Sequence, residues 1–90
     1  MNKTIITVVG KDTVGIIAKV CSFLADKEVN ILDISQTIVQ DYFNMMMIVD
    51  MTHMKLTFEE AAARLEEIGR DMGVQVKCQR EEIFDMMHRI

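Results

Sequence analysis

The residues best suited to holding a ligand lie in one short stretch, Gly10-Lys11-Asp12-Thr13-Val14-Gly15-Ile16. Gly10 permits a tight turn there. Gly15 lets another backbone or a ligand come close to the first turn of a following helix, because it has no Cβ. Backbone N–H groups left free at such a helix start, together with the helix dipole, suit a carboxylate or a phosphate. Asp12 gives the stretch two readings: its carboxylate fills the anion position itself as a helix cap, or it accepts from a ligand's ammonium group. A plain capped turn fits the same spacing, so the chemistry depends on what surrounds the loop.

The elements that must position this loop are legible from periodicity. Residues 4 to 10 are β-branched and apolar and end at Gly10, which predicts a first strand. Val14, Ile17, Val20, Cys21 and Leu24 then repeat at helical spacing, with Asp12 or Thr13 available to cap the start. Asn30 to Gln40 alternates, with Leu32, Ile34 and Ile38 on one face and Asp33, Ser35 and Thr37 on the other, as a strand covered on one side does. After a reversal at Asp41-Tyr42, the run Phe43 to Met51 carries apolar residues on both faces and predicts a strand buried on both sides. Thr57-Phe58-Glu59-Glu60 has the form of a capping box and opens a second helix with an apolar face of Ala61, Leu65, Ile68 and Met72. Gly73 stands where a left-handed C-terminal cap is usual. Val74, Val76 and Cys78 alternate with polar residues as a fourth strand. A short helix is expected from Glu81 to Arg89, with Ile83, Met87 and Ile90 on one side.

The order is therefore βαββαβ, an α+β, ferredoxin-like arrangement with a four-stranded antiparallel sheet, two helices on one face and a short C-terminal helix. With 90 residues and no proline the chain reads as one domain, residues 1–80 forming its body and 81–90 a helical extension of it. The other sheet face stays open, and apolar positions on it, Ile5, Val9 or Ile31 according to register, call for a partner. A domain this small buries only about 60–65% of its unfolded surface, so pairing of two copies is expected.

Composition narrows the function further. The net charge is −4 and there is no basic stripe, which argues against nucleic acid, whose affinity comes largely from Lys and Arg neutralising phosphates. No stretch reads as a membrane span or a secretory signal, and Cys21 and Cys78, far apart in sequence, read as reduced core residues, so a cytoplasmic location is expected. Phosphoryl chemistry of the acylphosphatase type requires a cation such as Arg in the first loop, which offers only Lys11 beside Asp12. Soft-metal capture wants two converging thiolates, and the cysteines lie outside that loop. Met45, Met46 and Met47 point to alternate faces if they form a strand, so they read as adaptable packing. His53 and His88 read as surface positions, and the glutamate pairs at 59–60 and 66–67 as a solvated helix face with Arg64 and Arg70 for local pairing. No catalytic residue, metal or cofactor is expected.

The pattern G-K-D-x-x-G-I after an Ile/Val-rich strand, followed by Val29-Asn30-Ile31 at the second strand, resembles the ACT-domain family over residues 3 to 80. Among its members the chain is most similar to the stand-alone, single-domain ones. The resemblance implies a ligand, commonly an amino acid, held at a homodimer interface between the first strand-helix loop of one subunit and the second strand of the other. Carried over by position, Asp12 and Gly15, with the loop neighbours Gly10, Lys11, Thr13 and Val14, line one side, and Asn30 and Ile31 the other. Amino-acid-sensing members often have Asn or another polar residue where this chain has Asp12. Asn30 suits the role chemically, since its amide donates to a carboxylate and accepts from an ammonium; it also suits a plain strand-entry turn. The expected function is a regulatory binder of a small metabolite acting on a protein partner. The alternative is a protein-interaction module that uses the open sheet face or the C-terminal helix and takes no small ligand.

Overall fold

The computed structural model describes residues 2–11 and 15–87. The elements are β1 (Lys3–Lys11), α1 (Ile16–Asp26), β2 (Asn30–Val39), β3 (Tyr42–Asp50), α2 (Phe58–Met72), β4 (Gln75–Arg80) and α3 (Glu81–Met87). Every strand pairing is antiparallel, and the sheet order β2-β3-β1-β4 is that of the βαββαβ, ferredoxin-like fold. Directly opposed residues share a face. Ile6 stands between Met47 and Cys78, and Val8 between Met45 and Val76, so one face of the sheet is apolar through three strands. Ile16, Val20 and Leu24 of α1 and Ala61 and Leu65 of α2 complete one core with that face.

α1 and α2 end in the same way. The Val74 amide donates to the Gly69 carbonyl and the Gly73 amide to the Arg70 carbonyl, a Schellman close in which Gly73 takes φ 72. At the end of α1 the Val29 and Glu28 amides donate to the Leu24 and Ala25 carbonyls, with Glu28 at φ 62. At the start of α2 the expected capping box is formed: Thr57 Oγ1 accepts from the Glu60 amide and Glu60 Oε1 from the Thr57 amide, each at 3.1 Å.

Several local expectations need correction. Asp12 and Thr13, expected as caps of α1, lie outside the described residues, as does Val14. Gly15 holds the N-cap position at φ 87, with no side-chain cap. The buried stripe of α1 is Ile16, Val20 and Leu24, with Ile17 and Cys21 half-buried beside it. The β2 ladder is interrupted between Ile31 and Asp33, leaving Leu32 as an extra residue. That bulge changes the phase, so Ile31 lies with Val49 on the helix-covered face, and Ile34 and Ile38 follow opposite Met47 and Phe43. β2 is a sheet edge and apart from half-buried Ile31 is exposed along its whole length, rather than covered on one side. β3 is buried on one side only: Phe43, Met45, Met47 and Val49 are in the core, whereas Asn44 and Met46 are exposed on the uncovered face. In α2 the stripe Ala61, Leu65 continues to Gly69, which sequence periodicity passed over. A Cβ there would come within 2.8 Å of the Val74 carbonyl oxygen and of Val76 Cγ2, so glycine permits α2 to lie directly on β4. His53 is exposed, as expected; His88, Arg89 and Ile90 lie outside the described residues.

Candidate functional site

The loop half of the expected site begins at the C-terminal end of β1. Gly10 is part of the strand and makes no turn of its own; a Cβ on it would fall 2.5 Å from Val74 Cγ1 and 3.2 Å from Val74 Cα. Its glycine serves close packing of β1 against the start of β4. Lys11 is exposed, and its Nζ lies 5.0 Å from the ring centroid of Tyr42, its direct partner on β3. Gly15 is exposed with a left-handed φ that L side chains rarely adopt, so conformation, more than room for a ligand, requires glycine here. The Gly15 carbonyl accepts from the Lys19 amide at 3.0 Å, opening the helical ladder. The first turn of α1 carries no acidic residue. Its leading amides are thus of the kind that accommodate an anionic group.

Asn30 and Ile31 sit elsewhere. Asn30 pairs with Asp50, which pairs with Lys3, whereas Lys11 pairs with Tyr42, which pairs with Val39. The two halves of the expected site are therefore at opposite ends of the same sheet, separated by the length of β1, roughly 26 Å at the usual rise per residue. One chain does not bring them together. Beside Asn30 is a small polar cluster that sequence reading missed. Asp50 Oδ1 accepts from the Thr52 amide at 3.0 Å, the Thr52 hydroxyl at 2.5 Å and the Asn2 amide at 3.3 Å. The Thr52 hydroxyl and amide hold the Asp50 carboxyl below its ordinary value, with help from the Asn2 amide. The spacing Asp-x-Thr is a turn signal from which this cluster could have been anticipated.

Two concavities are lined by other described residues. One of about 420 Å³ runs along the outer edge of β4 beneath α2, lined by Glu66, Arg70, Val74, Gln75, Val76 and Lys77. Another, of about 240 Å³, lies on the uncovered sheet face around Thr7, Val9 and Met46. Among the described residues no group of three His, Cys, Asp or Glu is placed to hold a metal ion, and no helix is long and apolar enough to cross a membrane. Both cysteines are free and half-buried, and loss of solvation pushes the Cys78 thiol up to about 12.

Comparison with known proteins addresses the whole chain. Residues 2–79 match the family model for the ACT domain. The sequence is 61% identical over 90 residues to a UPF0237 protein of Bifidobacterium longum, covering 100% of both chains. The fold matches the ACT domain protein from Streptococcus pneumoniae with a TM-score of 0.81 at 40% identity, covering 93% of this chain and 94% of that one. It also matches the regulatory subunit of aspartate kinase from Thermus thermophilus, in its ligand-free form, with a TM-score of 0.64 at 25% identity over 87% of this chain and 50% of that one. The β2-β3-β1-β4 sheet, the glycine-punctuated loop between β1 and α1 and these matches lead to one conclusion: the chain belongs to the ACT-domain family.

Proposed function

We propose that this chain is a non-catalytic regulatory module that binds a small metabolite, an amino acid or a close relative, between two copies of itself. The observation that carries this reading is the separation of Gly10–Gly15 from Asn30–Ile31 along the sheet, combined with an unprotected β2 edge. β2 is ten residues long with a single charge, Asp33, and no proline, and it exposes Leu32, Ile34, Ile38 and Val39. Such an edge is a template for pairing with another chain. Antiparallel pairing of β2 with the β2 of a second copy reverses the partner strand, which brings the partner's Asn30 to the end where Val39, Lys11 and Gly15 of the first copy lie. Two equivalent sites result. In each, the amides at the start of α1 and Gly15 receive the carboxylate, while Asp12 or the facing Asn30 accepts from the ammonium. Thr13 and Val14 complete the loop wall and Ile31 offers an apolar surface to a side chain.

The likeness to the regulatory subunit of aspartate kinase supports a role in regulation, since that protein shares the fold and is a regulatory part. A change in the dimer on ligand binding would pass to a protein partner. The free cysteines accord with a reducing, cytoplasmic compartment.

Thermal denaturation with each amino acid and related metabolites tests the reading. A ligand at 100 times its Kd adds about 2.7 kcal/mol of stability. For a domain of this size that raises Tm by about 10–20 °C. Absence of any shift across the set would overturn small-molecule binding of this class.

A further inference from the structure

The sheet face away from α1 and α2 is half covered. Ile5 lies on that face, outside the main core, yet is only 4% exposed. α3 packs on both β1 and β4, and Glu81 at its start lies 4.0 Å from Lys3 on the same face. The cover over Ile5 is therefore α3. The rest of the face is bare. Thr7, Val9, Ser35, Thr37, Asn44 and Met46 surround a depression of about 240 Å³ there, and none of them is charged. Val9 and Met46 are each 39% exposed. Depletion of charge around exposed apolar groups marks the centre of an interface more reliably than hydrophobicity alone.

The chain carries a surface that matches it. α3 has the sequence EEIFDMM, and Ile83 and Met86, three residues apart and so on one side, are 46% and 74% exposed. Covering Ile5 leaves these two groups in water. α3 also carries the acidic Glu81, Glu82 and Asp85, and the bare half of the sheet is flanked by Lys11 and Lys77. We propose that a second copy of this chain docks on the bare half of the sheet through its own α3, reciprocally, so that two sheets enclose a layer of two α3 helices. Ile83 and Met86 of each copy then pack over Val9 and Met46 of the other, with Lys11 and Lys77 beside the acidic side of the incoming helix. The contact is separate from the β2 edge and requires no bound metabolite.

The test is the mass in solution, by sedimentation equilibrium, of wild type, Met46→Glu and Met86→Glu. Both positions are exposed, and melting curves confirm that each variant folds; should Met46→Glu not fold, Thr37→Glu brings the same charge to the same face. Each variant alone is expected at half the wild-type mass, whether or not a β2-edge dimer persists. An equal mixture of the two is expected to regain a species of twice the single-variant mass, because one intact helix then meets one intact sheet face. Wild-type mass in either variant, a monomeric wild type, or a mixture that stays at the lower mass would overturn the proposal. In the first and third cases a β2-edge assembly that binds metabolite remains measurable by thermal shift, so the two readings fail separately.

Discussion

Among the described residues, two with side chains adopt backbone angles normally left to glycine: Glu28 at φ 62 and Gln40 at φ 58. For an L-residue this region costs about 1–2 kcal/mol. Glu28 is the more telling, because α2 closes with the same hydrogen-bond pattern and has Gly73 at the equivalent place. What Glu28 gains in return is an ion pair with Lys55 at 3.4 Å between two exposed side chains. Such pairs contribute little. Glu28→Gly is therefore expected to stabilise the fold by about 1 kcal/mol, read as a higher urea midpoint at unchanged slope. An unchanged or lower midpoint would show that the unfolded chain's extra freedom with glycine outweighs the relieved strain. The same reasoning separates the glycines: Gly15 and Gly73 are needed for φ, whereas Gly10 and Gly69 are needed for contact with Val74 and Val76.

At the scale of elements, α2 is specified locally at both ends and α1 only at one. The Thr57-Glu60 box places a carboxylate at the positive end of the α2 dipole, and the Thr57 amide and hydroxyl hold the Glu60 carboxyl below its ordinary value, with Arg64 adding to the effect. A carboxyl whose folded pKa lies below its unfolded value stabilises the fold at pH above the unfolded value. That contribution is lost as pH falls through the folded one. Wild type is thus expected to lose stability more steeply than Glu60→Gln as pH falls below about 4.5, the ordinary value for this carboxyl. Asp50 titrates in the same direction in both proteins and cancels in the comparison. Urea midpoints of the two proteins across that range give the difference; parallel acid limbs would show that the box does not persist in solution. α1, by contrast, starts at Gly15, which has no side chain to cap it, and among the described residues packing of Ile16, Val20 and Leu24 holds it in place.

At the scale of the whole molecule, the sheet has an open β2 edge and a half-covered face, and its apolar exposures fall on both. Edge strands are kept from pairing by a charge placed on them. Ile38→Lys puts one on β2 at a side chain that is 73% exposed, so the monomer's fold should be little affected. The variant is expected to lose the edge-paired dimer in sedimentation and, with it, the metabolite-dependent rise in Tm. A full thermal response in a variant whose edge pairing is abolished would mean that a single chain holds the ligand, and that Asn30 has no part in the site.

Sequence alone determined the element order, the α2 capping box, the Gly73 close and the apolar rows Phe43-Met45-Met47-Val49 of β3 and Val76-Cys78 of β4, because each depends on residues within a few positions of one another or on simple alternation. Asn30 and the glycine loop were also legible as chemistry. Tertiary structure decided what periodicity cannot encode. The phase of β2 was set by a one-residue bulge, and the exposure of β2 and of one side of β3 by how far two helices reach across four strands. The tasks of Gly10 and Gly69 were set by a valine-bearing strand remote from Gly10 in sequence. Above all, antiparallel pairing sends Asn30 to the end of the sheet opposite the Gly10–Gly15 loop that opened the case for a site. Strand direction is a property of the assembled sheet, and it is the reason the Gly10–Gly15 loop and Asn30 of one chain stand at opposite ends of that sheet.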